Sequence, residues 1–145
     1  MTLRKPLGVV VVLACLASPA LASGWPPSAH EGASPEAMLS DSVVTTALLA
    51  HLAPGELDLL RDMARQAALP DGYLRPAERE EGAPSDAPLM AGACVPAGCD
   101  VGQFKLVVAA DGRAWVGLSR GSGWMVLGPP PPEEVERLLE PFPGC

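Results

Sequence analysis

The sequence is short of positive charge and of motifs that mark common enzyme classes. It has 10 Lys and Arg against 17 Asp and Glu, giving a formal net charge of −7. A chain of this sign repels phosphate, which excludes a basic nucleic-acid binder and favours cationic partners. It has no phosphate-binding loop and no dinucleotide fingerprint, so neither of those enzyme classes is indicated. Coiled coils and solenoids are excluded because no heptad or longer repeat is present.

The one long hydrophobic run lies at the N-terminus. Arg4 and Lys5 precede an apolar stretch over residues 7–17, and Ala20-Leu21-Ala22 places small residues at the two critical positions of a cleavage site. This order of features predicts a secretory signal peptide over residues 1–22. The run is shorter than the ~20 apolar residues that a transmembrane helix needs.

Export to the periplasm, with Ser23 as the first mature residue, is the expected outcome. Lipoprotein processing at Cys15 is the alternative, but Leu13 is bulky where a lipoprotein signal usually has a small or β-branched residue. Cleavage after Ala22 leaves 123 residues with 8 basic and 17 acidic side chains, a net charge of −9. A chain of this size can bury roughly two-thirds of its unfolded surface, so it needs no metal to fold.

Three cysteines remain after cleavage: Cys94, Cys99 and Cys145. An oxidising compartment favours disulfides, and Cys94 and Cys99 are the predicted pair. A zinc site is not indicated, because His30 and His51 have no ligand spacing to these cysteines. Four residues separate the paired sulfurs, unlike the C-x-x-C of thiol oxidoreductases. Cys145 is then the candidate for an intermolecular bridge, and so for a homodimer.

The first half of the chain reads as helical. Residues 23–33 are expected to form a flexible lead, and Ser34 and Pro35 to begin a helix that ends near Leu52. Residues 70–88 are expected to be an irregular connector rich in charge, proline and glycine. Between the end of the first helix and this connector, apolar residues at helical spacing predict a second amphipathic helix: Leu57, Leu60, Ala64 and Ala67.

The second half reads as strands followed by one helix. Short apolar runs predict strands over residues 89–95, 103–110, 113–119 and 124–127. Asp111-Gly112 is typical of a tight hairpin turn between two of them. A last helix is predicted from acidic Glu133, Glu134 and Glu136, with Val135, Leu138 and Leu139 docking on the sheet and Pro141 ending it. The prediction is a single α+β domain, an antiparallel meander with helices against one face, over residues 34–140 and followed by a mobile tail at 141–145.

The segment between the first two predicted strands is Cys94-Val95-Pro96-Ala97-Gly98-Cys99. A bridge closing six residues is worth about 2 kcal/mol by chain entropy, which is small for a folded domain. It could instead hold the loop in its binding shape and so avoid an ordering cost of ~0.5–1.5 kcal/mol per side chain. A rigid binding loop and a merely stapled hairpin therefore stay open as interpretations.

This segment, with the strand that precedes it and the hairpin and Trp124 that follow, resembles the inhibitor of vertebrate lysozyme (Ivy) family. The resemblance covers roughly residues 69–140. It implies a periplasmic α+β protein whose loop C-K-P-H-D-C plugs the active-site cleft of a c-type lysozyme. Cys94, Pro96 and Cys99 match the residues that shape this loop.

The residues that contact lysozyme in the family do not match. Val95 stands where the family has Lys, Ala97 where it has the His that hydrogen-bonds the enzyme's carboxylates, and Gly98 where it has Asp. Asp100 adds a charge that would repel those carboxylates. Two hypotheses follow from the resemblance: a lysozyme inhibitor with a divergent loop, and an Ivy-fold envelope protein that binds another target. An enzyme is the third hypothesis, and neither a catalytic residue nor a cofactor is predicted for it.

Overall fold

Five antiparallel strands, joined in the order in which the chain forms them, make the sheet at the centre of the fold. The computed structural model describes residues 24–143. The predicted signal peptide, its predicted cleavage site, Cys15 and Cys145 lie outside these residues. The predicted α+β class, antiparallel meander and single domain are confirmed. The strands are β1 (Tyr73–Glu78), β2 (Leu89–Cys94), β3 (Gln103–Val108), β4 (Ala114–Ser119) and β5 (Met125–Leu127).

Three helices cover the first face of the sheet: α1 (Pro35–Met38), α2 (Ser42–Leu49) and α3 (Glu56–Ala67). Phe104, Leu106 and Val108 of β3 all point to this face, as their alternation predicts, and each is fully buried. The helices bury an apolar stripe against these strands, which forms the main core. Its helical members are Met38, Val44, Leu48, Leu57, Leu60, Met63, Ala64 and Ala67.

The single helix predicted from Ser34 to Leu52 is in fact two helices. The Asp41 carboxylate accepts hydrogen bonds from the backbone N–H groups of Val43 and Val44, at 2.9 and 3.1 Å. It therefore caps a new helix, because these first N–H groups have no partner within the helix itself. The apolar spacing continues through the break, which is why periodicity alone did not reveal it.

A fourth helix, α4 (Glu133–Leu138), packs on the second face of the sheet. Val135, Leu138 and Leu139 dock there as predicted, against Val107 and Trp115. Helices therefore lie against both faces, whereas the sequence pattern predicted one. The difference arises because β2 and β3 are buried along their whole length, β4 is buried up to its last residue, and all three carry apolar residues on both sides.

The segment expected to be a flexible lead is packed where the structure describes it. Trp25 is only 2% exposed and joins the main core, and its ring stacks on the His30 ring at a centroid distance of 4.0 Å. The backbone N–H of Trp25 donates to the Ala110 carbonyl beyond the end of β3. The burial of one large aromatic side chain offsets the proline and glycine content that suggested a flexible segment.

Residues 70–88, expected to be an irregular connector, contain the edge strand β1. Its pairing with β2 shifts between Arg75 and Glu78, so a bulge accommodates Pro76, which has no N–H to donate. An edge position tolerates proline and charge because, within residues 24–143, no second strand pairs with the outer side of β1. The same polar residues that favoured a connector are therefore compatible with a strand at this place in the sheet.

Aromatic rings lie directly on glycines along the second face. A Cβ atom at Gly92 would lie 2.5 Å from Cζ of Phe142, and one at Gly117 would lie 2.0 Å from Cζ2 of Trp124. Both glycines pair laterally with Lys105 of β3. Because neither glycine has a side chain, the rings of Phe142 and Trp124 can lie against the backbone on either side of Lys105.

Candidate functional site

The predicted loop connects β2 to β3 at one end of the sheet. Its disulfide, Cys94–Cys99, is confirmed, with the two Cα atoms 4.8 Å apart. Both cysteines are buried, at 1% and 4% exposure, so the bridge lies inside the fold and not at the tip of the loop. The loop is therefore anchored to the fold by two buried cysteines.

The backbone of the loop is held by its own hydrogen bonds. The Val95 N–H donates to the Gly102 carbonyl at 3.0 Å, and the Gly98 N–H donates to the Val95 carbonyl at 3.0 Å. The N–H groups of Val101 and Gly102 both donate to the Gly98 carbonyl. Gly98 has φ +121°, a conformation in which a side chain is strained. The bonds and this turn fix the shape of the loop without a partner.

The surface of the loop is largely apolar. Ala97 is exposed at its apex, while Val95, Pro96 and Gly98 are half-buried. Val101, which follows the ring, is 48% exposed, and Asp100 carries the only charge between Cys94 and Gln103. No imidazole or ammonium group is available from the loop itself. Its chemistry is that of a small apolar plug with one carboxylate at its side.

Gln103 is the main support of the loop, and no pattern in the sequence points to it. This side chain is 5% exposed. Its Nε2 donates to the carbonyls of Cys99 and Phe142, at 2.8 and 3.2 Å, and its Oε1 accepts from the Phe142 N–H at 2.7 Å. A buried amide whose groups are satisfied in this way specifies one arrangement of the loop and the C-terminal segment.

Phe142 also packs against the disulfide, which corrects the prediction of a mobile tail at residues 141–143. It is 8% exposed and forms a cluster with Cys94 and Cys99. The ring of Tyr73 meets the Phe142 ring edge-on at 5.5 Å. Tyr73 lies opposite Cys94 in the β1–β2 register and is 47% exposed. The Phe142 ring thus covers the buried disulfide, and the neighbouring Tyr73 ring remains accessible.

Lys105 is a buried cation on the second face, 9% exposed, with its Nζ 4.5 Å from the centre of the Phe142 ring. Burial lowers the pKa of this ammonium group, the positive charge of Arg75 lowers the pKa further, and Glu140 opposes both. The Phe142 ring provides a cation–π contact. Lys105 is part of the support beneath the loop and the C-terminal segment, and does not belong to the exposed apex.

Neither a metal site nor a membrane-spanning helix is found among the described residues. In residues 24–143, no group of three or more His, Cys, Asp and Glu side chains is placed to hold a metal ion. No helix in the same part of the chain is long and apolar enough to cross a membrane. Comparison with known proteins gives no match to a family model, to a curated protein or to a solved structure.

Proposed function

We propose that this protein is an exported, periplasmic inhibitor of the Ivy type, which plugs the active-site cleft of a c-type lysozyme with the loop from Cys94 to Cys99. The observation that carries the proposal is the closed, internally bonded loop with an exposed apex. A loop that keeps its shape when free loses little conformational entropy on binding. The signal-peptide pattern at residues 1–22 places such an inhibitor where it would meet lysozyme.

Charge supports the same partner. The chain after cleavage has a net charge of −9, and c-type lysozymes are cationic. Opposite net charges raise the rate of encounter, and this effect falls as salt concentration increases. We therefore expect the association rate to drop when salt is added, while dissociation changes little.

The apex lacks the family's hydrogen-bonding side chain, so inhibition rests on steric exclusion. A hydrogen bond to a charged group is worth ~1.5–3 kcal/mol, and its loss weakens binding by roughly ten- to a hundredfold. Ala97→His would restore an imidazole at an exposed position. Gly98→Asp would not be a clean restoration, because its φ is +121° and a Cβ atom there would lie 2.5 Å from Oδ1 of Asp100.

A lysozyme assay with three purified variants tests the proposal. Inhibition is expected to be competitive and to weaken when Cys94 and Cys99 are both replaced by Ser, because the loop must then be ordered on binding. Ala97→His should strengthen inhibition by about tenfold or more. The matched control is Ala50→His, at another exposed alanine outside the loop.

The second candidate is an Ivy-like envelope protein with another target. It is favoured by the apolar apex, since Val95, Ala97 and Gly98 offer no group that pairs with the carboxylates of lysozyme. If Ala97→His and the unmodified protein both leave lysozyme fully active at micromolar concentration, the loop does not enter that cleft. Immobilised lysozymes of several types would then serve to confirm the absence of binding.

A further inference from the structure

A second candidate binding surface lies away from the loop, on the second face of the sheet. It is a groove of about 530 Å³ between β5 and α4. Trp124 and Val126 line the strand side, and Leu139 lines the helix side. The prolines 129–131 lie between them, so most of the lining is apolar. None of these residues belongs to the Cys94–Cys99 loop.

The strand beside this groove is an edge of the sheet. Within residues 24–143, β5 pairs with β4 on one side and is the last strand in the sheet order. Met125 and Val126 are each 43% exposed. An exposed edge offers backbone N–H and C=O groups to an additional strand, and side-chain pockets beside it then select the sequence of that strand.

Two carboxylates stand on the helix side of the groove. Glu136 of α4 and Glu140, two residues beyond the end of that helix, are both exposed and line the groove. Neither forms an ion pair with a residue of the described chain, whereas Arg137 between them pairs with Glu80. The negative charge of Glu140 also acts on the buried Lys105, where it partly opposes the lowering of the pKa by burial. The groove therefore combines apolar walls with negative charge that no neighbouring cation neutralises directly.

We propose that this groove binds an extended peptide segment whose groove-facing side chains, at every second position, include both apolar residues and Lys or Arg. The peptide would add a strand to β5, place its apolar side chains against Trp124 and Val126, and direct its cations to Glu136 and Glu140. A second copy of this chain is a poorer occupant. Paired β5 edges would bring the glutamates of both copies together, and β5 itself carries no cation.

The test uses the protein without residues 1–22 and a fluorescein-labelled peptide, Val-Thr-Arg-Thr-Val-Thr-Arg, whose valine and arginine side chains share one face of an extended strand. Fluorescence polarisation should show saturable binding, and a peptide with glutamate in place of arginine should not bind. Glu136→Gln combined with Glu140→Gln should weaken binding by about three- to thirtyfold, the range for two exposed ion pairs. The matched control is Glu133→Gln combined with Glu134→Gln, which removes the same charge from the same helix outside the groove.

A peptide with N-methyl groups on alternate residues tests strand addition, because it cannot donate backbone hydrogen bonds on that edge. Its binding should be lost. Equal loss of affinity in both glutamine double variants would overturn the proposal, since net charge alone would then explain binding. Unchanged binding of the N-methylated peptide, or no binding at about 1 mM protein, would overturn it as well. None of these measurements uses lysozyme, so their outcome is independent of the function proposed above.

Discussion

Replacing Gln103 with Met would remove three hydrogen bonds while keeping a side chain of similar length. The bonds join the amide to the carbonyl of Cys99 and to both backbone groups of Phe142. Each is worth about 0.5–1.5 kcal/mol net, which gives a range of about 1.5–4.5 kcal/mol for the set. Water can hydrogen-bond to the backbone groups of the C-terminal segment once the segment loosens. We therefore expect the free energy of unfolding to fall by about 2–3 kcal/mol, within this range. Met fills the space that Gln leaves, so a change in side-chain volume contributes little and the loss of stability reports the hydrogen bonds.

Urea unfolding followed by circular dichroism measures this loss. With an m-value of about 1–3 kcal/mol/M, the midpoint should fall by about 0.7–3 M. Gln66→Met on the exposed side of α3 is the matched control and should leave the midpoint unchanged. Hydrogen exchange at the Phe142 amide should accelerate in Gln103→Met. A midpoint within about 0.2 M of the unmodified protein, with the Phe142 amide still protected, would refute the view that Gln103 fixes the loop to the C-terminal segment.

Three further predictions concern single positions. Gly117→Ala should displace the Trp124 ring, because its Cβ atom would lie 2.0 Å from Cζ2; we expect a loss of about 1–3 kcal/mol and a red shift in tryptophan fluorescence. Burial holds the pKa of Lys105 below its unfolded value of about 10.4, so its charge opposes folding at neutral pH and ceases to do so as pH rises past that value. Lys105→Met should therefore melt higher than the unmodified protein at pH 7, with a smaller difference at pH 10; a lower melting point at both pH values would contradict this. In denaturant, the chain without residues 1–22 should expose one reactive thiol, Cys145, before reduction and three after it, and finding none before reduction would indicate an intermolecular bridge.

The strands of the second half could be predicted because each is a short, nearly uninterrupted apolar run bounded by turn residues. The Asp111-Gly112 turn fixes the register of β3 against β4, with Val108 opposite Ala114. The disulfide followed from spacing and from the inferred compartment. These are local signals, and a sequence read alone contains them.

The missed features all depend on contacts between distant residues. Pro76 indicates a connector until a partner strand makes it part of an edge, and Phe142 indicates a loose tail until Gly92 provides a surface for its ring. Gln103 looked like the first residue of an apolar strand, and nothing local shows that its amide reaches a segment 39 residues further along the chain. The candidate loop was therefore predictable, but the side chains that support it were not.

The loop and the first described residues lie at opposite ends of the sheet. β3 leaves the loop at Gln103 and reaches Val108 five residues later, close to the Ala110 carbonyl that accepts from the backbone N–H of Trp25. At about 3.3 Å per residue, the strand separates these ends by roughly 17–20 Å. Phe142, by contrast, lies against the disulfide. Attachment through the amino terminus, whether to a tag, a resin or a membrane, therefore leaves the loop facing outward, whereas a carboxyl-terminal fusion crowds it. Amine coupling favours the first orientation, because Lys105 is the only lysine after residue 22 and its side chain is buried.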